Sequence, residues 1–387
     1  MMRVWPIYIT NFILASALGV VFVFLEDVQV LNNLADWEVG VVAGTGFGAA
    51  LVAQLVLSPF ADRGTVTPLA VVALISGIIG PIGFAYGNTM AVLAISRGLS
   101  GIGLGLFSLL AKKALLGMDA SGGGAKLGIL LSTAVAGFIV GPVIGAAFEP
   151  LGFAAPFLAV SVALVVIGLP ATYTILRTEI AATPVDYSDL GRLIKRPKVQ
   201  AAMVVQIIVF GFIGVFDAII DRFLTDLGAS TSQVAITILV VGAPLLVLPR
   251  IAGNLAESRG GTTIMLPALL LLIPALVGYG VSGTVLVATL FGLLQGTGES
   301  FATISAQVLV LEVTGAERAA VGSALLETAG LGSATITAAL APTVYGTSGG
   351  PTLFLSAAAI GAVFAVLALT RVRRGSDEVL EAAPASL

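Results

Sequence analysis

The sequence predicts an all-α polytopic membrane protein, with twelve transmembrane helices arranged as two pseudo-symmetric six-helix bundles. Three observations lead there. Hydrophobic residues make up 58% of the chain and charged residues only 10%, and the mean hydropathy is +1.09. That leaves too little charge to cover a soluble surface. The apolar runs reach the ~20 residues a helix needs to cross a bilayer. Strands of a transmembrane barrel would be shorter and would alternate apolar with polar. Finally, the second half repeats the first at a single offset.

The elements follow in order, with ends set by charges and turn residues. Span 1 (4–25) follows Arg3 and ends at Glu26 and Asp27. Span 2 (39–57) lies between Glu38 and the stretch SPFADRGT, and span 3 is 68–86. Span 4 (90–110) carries Arg97 and stops before Lys112 and Lys113. Span 5 (127–148) follows Lys126 and contains GFIVGPVIGAAF; span 6 is 153–175. Residues 177–198, the longest polar stretch between spans, read as a cytoplasmic linker with a short amphipathic helix near 187–194. Spans 7 to 12 are 199–220, 234–249, 264–281, 285–311, 319–345 and 352–370. The chain therefore divides into a first bundle (1–176), the linker (177–198), a second bundle (199–371) and a cytoplasmic tail (372–387) expected to be disordered. Spans with Pro or Gly remain acceptable, because neighbouring helices re-satisfy the freed backbone groups.

Charge placement supports the count. With the N-terminus in the cytoplasm, 16 of the 18 Lys and Arg fall on the inner side. The exceptions are Arg97, inside span 4, and Arg222, at the outer end of span 7. The outer loops carry Asp36, Glu38, Glu149 and Asp226 instead. Such a bias places both termini inside. The expected location is the cell inner membrane, without a cleavable signal peptide.

Several function classes drop out. There is no cysteine and no histidine, which removes disulfides, thiol nucleophiles, His-ligated haem and the usual zinc sites. No G-x-x-x-x-G-K-S/T loop occurs, so this chain alone is no ATP-driven pump. A net charge of −3 suggests no nucleic-acid partner. No cofactor or metal and no enzymatic activity is expected, and the chain is expected to be a monomer in the bilayer.

The repeat is visible at a shift of 195 positions. SPFADRGT (58–65) lands on GNLAESRG (253–260), so that Asp62 meets Glu257. Gly101 and Gly103 land on Gly296 and Gly298, Glu26 on Asp221, and Glu38-Val39 on Gln233-Val234. Duplicated six-helix units of this kind place a substrate site between the halves, near the midplane.

These residues resemble the major facilitator superfamily, and within it the twelve-span drug:proton antiporters. SPFADRGTVT is similar to the family's G-x-L-A-D-R-x-G-R-R/K loop between spans 2 and 3: Ala61, Asp62 and Arg63 match, Ser58 replaces the first glycine, and the trailing basic residues are missing. RGLSGIG (97–103) fits R-x-x-x-G-x-G of span 4, and GFIVGPVIG (137–145) fits the span 5 motif G-x-x-x-G-P-x-x-G, which in this family tracks with antiporters. The resemblance implies transport by alternating access, in exchange for protons, of a small lipophilic or cationic molecule. It also implies a proton-coupling role for Arg97 and a gate at Asp62 and Arg63, with Glu257 and Arg259 as the second-half counterpart. A symporter or uniporter for a sugar or organic acid is the alternative within the same fold.

The residues themselves suggest further chemistry. Gly137, Gly141 and Gly145 share one helix face, and with Pro142 they let a neighbouring helix approach closely; the expected neighbour is a helix of the other half. An arginine inside a span costs roughly 2.5–3.5 kcal/mol on insertion scales, so Arg97 either ties backbone carbonyls or sets the charge of a nearby carboxylate. Desolvation favours the neutral form of a carboxylate, which makes Asp217, Glu299, Glu327, Glu26, Asp27 and Asp221 candidates for proton coupling. Asp221 could instead pair with Arg222, or with Asp27 across the pseudo-two-fold, the latter pairing being repulsive unless one of the two is protonated. Glu299 follows QGTG, whose glycines leave room for a ligand or a close helix. Asn11, Gln54, Gln206, Gln295 and Phe216 are candidates to line a substrate cavity, although interhelical hydrogen bonding is the commoner role for such amides.

Overall fold

The computed structural model describes residues 4–118, 123–178, 190–315 and 319–382, and every regular element among them is helical. In order these are α1 (Trp5–Gly19), continued by a 3-10 turn (Val20–Val23), short α2 (Leu25–Asn32), α3 (Asp36–Asp62), α4 (Val66–Tyr86), α5 (Met90–Met118) and α6 (Gly123–Phe148). Then α7 (Ala155–Ala163) runs through a π turn (Leu164–Gly168) into α8 (Leu169–Leu176), followed by α9 (Leu190–Lys195) and α10 (Pro197–Asp226). Last come α11 (Thr231–Val247), α12 (Pro249–Arg259), α13 (Gly261–Val281), α14 (Val285–Thr314) and α15 (Ala319–Ala382).

Among the described residues ten helices are long and apolar enough to cross a membrane, and α11 with α12 adds a pair bent by 40°. Pro249 opens α12 and has no N–H with which to continue the ladder of α11. The stretch Val321–Arg374 is 54 residues long, or roughly 80 Å as a helix, far more than a bilayer of about 30 Å. Gly349, with φ 79 and ψ 166, divides it into two spans. Twelve crossings result, as in the sequence reading.

Three local expectations change. The tail is helical as far as Ala382 rather than irregular; its DEVLEA run consists mostly of good helix formers. The linker helix is α9, with Leu193 packed beside Val199 and Leu325; the start of the expected 187–194 helix lies outside the described residues. GNLAESR belongs to helix α12, so Glu257 and Arg259 are exposed helix residues, not loop residues.

The duplication recurs contact by contact. The N–H of Ala35 donates to Glu38 Oε2 at 2.8 Å, and 195 positions on the N–H of Ser230 donates to Gln233 Oε1 at 2.9 Å, so the third residue of α3 and of α11 caps its helix in the same way. A Cβ on Gly101 would collide with the carbonyl of Gly46, and one on Gly296 with the carbonyl of Val241. A Cβ on Gly103 would meet Gly77 and the Ala73 carbonyl, and one on Gly298 would meet Leu272 and the Ala268 carbonyl. Each partner obeys the same shift. These glycines therefore serve close helix approach in both halves.

The glycine stripe of α6 packs on a helix of its own half, which corrects the expectation of a partner in the other half. A Cβ on Gly137 would strike the Phe12 carbonyl, one on Gly141 the Ser16 carbonyl and Gly19, and one on Gly145 the side chains of Val23 and Phe24. The neighbour is α1. Pro142 lacks the N–H that would bond the Phe138 carbonyl four residues back, and that carbonyl faces Gly19. Spacing fixed the face, but the sequence could not say which helix lay against it.

The chain forms two compact units. The first joins Met1–Pro184 to Gly214–Leu239 and Thr335–Gly346. Its aromatic core includes Phe24, Phe84, Phe153 and Phe157, with ring centroids 5.2–5.8 Å apart. The second comprises Val185–Ile213, Val240–Ala334 and Thr347–Leu387, with Tyr279 stacked on Phe354 at 5.2 Å.

Candidate functional site

The first unit is built around a buried ion pair. Arg97 on α5 and Asp217 on α10 have side chains only 1% exposed. Nη2 of Arg97 donates to Asp217 Oδ2 at 2.6 Å and Oδ1 at 2.9 Å. Nε donates to the Ala43 carbonyl and Nη1 to the Leu18 carbonyl, each at 3.2 Å. The local backbone explains these acceptors. Where α1 tightens into the 3-10 turn Val20–Val23, a carbonyl at the junction loses its i+4 donor, and Leu18 supplies such a carbonyl. Gly46 leaves space for the arginine stem, since a Cβ there would sit 3.3 Å from Arg97 Cγ. The Phe22 ring lies 5.8 Å from the guanidinium, a cation–π distance. The arginine thus joins α1, α3, α5 and α10 at one point.

One turn further along α10, Asp221 is also buried, and its Oδ2 accepts the backbone N–H of Glu26 at 3.1 Å. It caps the first turn of α2 from another helix. Residues 26 and 221 are 195 apart, so equivalent positions of the repeat touch each other directly. Asp221 pairs neither with Arg222 nor with Asp27. Arg222 reaches Asp36 Oδ1 at 2.7 Å, which also accepts from Gln29 Nε2 at 2.7 Å. The Arg222 guanidinium lies 5.2 Å from the Tyr345 ring, and the Tyr345 hydroxyl donates to Asp226 Oδ2 at 2.6 Å. Thr231 donates to Glu149 at 3.0 Å. At this acidic end of the unit, α2, α3, α10 and α15 are tied by one linked set of polar contacts. Burial pushes the carboxyls of Glu26 and Asp27 up from their ordinary values; nearby Asp226 adds to the rise for Glu26, and Glu149 for Asp27.

The other candidates scatter. Asn11 is buried with its amide donating to the Leu130 carbonyl (2.8 Å) and to Thr133 Oγ1 (3.2 Å), while its oxygen accepts from Ser108 (2.7 Å); it ties three helices. Gln54 and Phe216 are half-buried. In the second unit Gln206 is buried, and Gln295 donates to Glu299 Oε1 at 2.7 Å, one helical turn away. Glu327 is half-buried on α15. Asp62 closes α3, with a side chain outside the described residues, and Arg63 is exposed just beyond it. An apolar cleft of about 690 Å³ lies along α3 and α5, with Thr335 and Ala339 of α15 on its wall, and none of the five predicted cavity residues lines it.

Sequence reasoning did not single out Gln29 or Tyr345; it noted Asp36 only as a topology marker, and Arg222 as that and as a possible partner of Asp221. One signal was available: Arg222 is a lone cation on a side otherwise marked by acids.

No family model and no curated protein sequence matches the chain. Solved structures do. The nucleoside transporter NupG superposes with a TM-score of 0.75 at 16% identity, covering 96% of this chain and 99% of that one. A bacterial homologue of the human lysosomal transporter Spinster, inward-facing and occupied, gives 0.76 at 14% identity over 99% and 98%. The xylose transporter XylE from E. coli, partially occluded and inward open, gives 0.72 at 13% over 95% and 96%. At such identities the likeness concerns the fold, and it is the twelve-helix fold expected from the sequence.

Proposed function

We propose that this chain is a secondary transporter working by alternating access, with proton binding coupled to movement of a small organic molecule. The observation that carries the reading is the buried Arg97–Asp217 pair. Breaking a buried pair by removing one charge costs about 3–5 kcal/mol. Neutralising Asp217 with a proton therefore acts on the tie between α5 and α10. The moving bodies are the bundles 1–176 and 199–371, joined by the linker 177–198 and followed by the tail 372–387. Both termini face the cytoplasm from the inner membrane, and the protein works as a monomer in lipid with its substrate and protons as partners.

Two substrate readings stay within this scheme. The span 5 motif supports proton-driven efflux of a lipophilic or cationic compound. The fold shared with a nucleoside and a xylose transporter supports a polar metabolite at least as well. Everted vesicles with an acid interior separate them. Lipophilic cations, neutral drugs, nucleosides and pentoses are added in turn while a fluorescent probe follows interior pH. Substrate-dependent proton release that Asp217→Asn abolishes supports the coupling and identifies the class. Substrate flux that leaves the gradient untouched would remove proton coupling from the proposal.

A further inference from the structure

The two deepest carboxylates sit in opposite surroundings. Asp217 faces a guanidinium. Glu299, on α14, is 3% exposed, and its hydrogen-bond partner is a neutral amide, Nε2 of Gln295 at 2.7 Å. No ion pair with Glu299 occurs among the described residues. Among the described residues, the elements against α14 offer Glu299 no cation: α11 and α13 contain no Lys or Arg, Arg250 and Arg259 of α12 are exposed, and exposed Arg196 donates to the Val313 carbonyl at the far end of α14. The titratable group of α13 beside Glu299 is the Tyr279 phenol, which supplies no positive charge. On α15, Glu327 is half-buried and of the wrong sign to help. A bare carboxylate in such a place costs several kcal/mol.

A second observation points the same way. Gln295 is 3% exposed, and its Oε1 is buried with no donor in reach. A carboxyl and a primary amide are both planar forks. When the amide N–H binds one carboxyl oxygen, the amide oxygen and the second carboxyl oxygen lie side by side. Two acceptors there repel, but a proton between them closes a cyclic acid–amide pair and satisfies both.

We propose that Glu299 and Gln295 form a second proton-binding site, separate from Asp217: Glu299 is held as the carboxylic acid, with its O–H on Gln295 Oε1, in the arrangement in which Asp217 is ionised against Arg97. The role of the site in transport rests on the proton-coupled reading above, whereas its occupancy does not. On release the O–H bond breaks, the electron pair stays on Glu299, and the proton leaves as hydronium.

Infrared spectroscopy of the purified protein in lipid at neutral pH tests occupancy without a substrate. A protonated carboxyl absorbs above the amide region and shifts in D2O. Wild type minus Glu299→Gln should show this band at one carboxyl per chain; wild type minus Asp217→Asn should not. Gln295→Leu should move the band without removing it, and it reads the site even if Glu299→Gln fails to fold. A band that survives Glu299→Gln, or stays unmoved in Gln295→Leu, overturns the assignment, as does its absence because a sodium ion occupies the same oxygens. Proton-coupled flux without the band would sink the site and leave the function standing; the band without coupled flux would do the reverse.

Discussion

Asp217→Asn should loosen the closed arrangement of the acidic end by a calculable amount. Asparagine keeps an acceptor for Arg97 but loses the charge. Hydrogen bonds to charged groups contribute about 1.5–3 kcal/mol each. Arg97 retains its two backbone carbonyls, so the loss stays below the roughly 3–5 kcal/mol of a buried pair broken outright. A loss of 1.5–3 kcal/mol shifts a two-state population by roughly 10- to 150-fold. The chain has no cysteine, so introduced cysteines are unique labels. Leu31 is exposed on α2 and Ser232 is exposed on α11, both at the acidic end. Spin labels at these two sites, read by double electron–electron resonance, should give one short distance in wild type and a substantial second, longer one in Asp217→Asn. A distance distribution that Asp217→Asn leaves unchanged would refute the idea that this pair holds the end closed.

Smaller effects follow at the rim. Arg222→Gln should shift the same two populations only a few-fold, because its partner Asp36 and the arginine itself are 27% and 31% exposed, and partly exposed pairs contribute about 1 kcal/mol or less. Gly141→Leu should lower the thermal midpoint in detergent markedly, since a Cβ there would lie 2.7 Å from the Ser16 carbonyl, whereas Gly128→Ala, with nothing within 4 Å, should leave it unchanged or raise it. Burial holds Glu26 and Asp27 above their ordinary 4.5 and 3.8, so the protonated forms favour the folded state. Their stabilisation is complete below those values and fades as pH rises through the raised ones. The midpoint should therefore rise more as pH falls from neutrality into the ordinary carboxylate range in wild type than in Glu26→Gln/Asp27→Asn; equal slopes would contradict the burial argument.

Much of the fold was legible because membrane helices advertise themselves by length and hydropathy, and because the duplication kept its register. Glu38 and Gln233 could be matched on sequence, and both cap a helix in the same way. Partners were not legible. Arg97 and Asp217 each stood out as costly in a span, yet they lie 120 residues apart, and nothing in either segment names the other. Glycine spacing gave the face of α6 but not its neighbour α1. Amides read alike in sequence: Asn11 proved fully engaged, while Gln295 keeps an unanswered oxygen. Tyr345 carried no signal, because its role depends on Arg222 lying over its ring.

The repeat register has one more consequence. Position 97 in the first half corresponds to position 292 in the second, and there the arginine gives way to a glycine, with the Tyr279 hydroxyl 2.7 Å from where its Cβ would be. The two halves share their glycine joints and their caps, but only one carries the guanidinium. A device made of two equivalent jaws has no built-in preference between its two faces. At this pair of positions the inequality is a charge, a guanidinium in one half and a phenol in the other. Transplanting it, with Arg97→Gly and Gly292→Arg in one chain, asks whether the handedness of the proposed transport cycle travels with a single side chain.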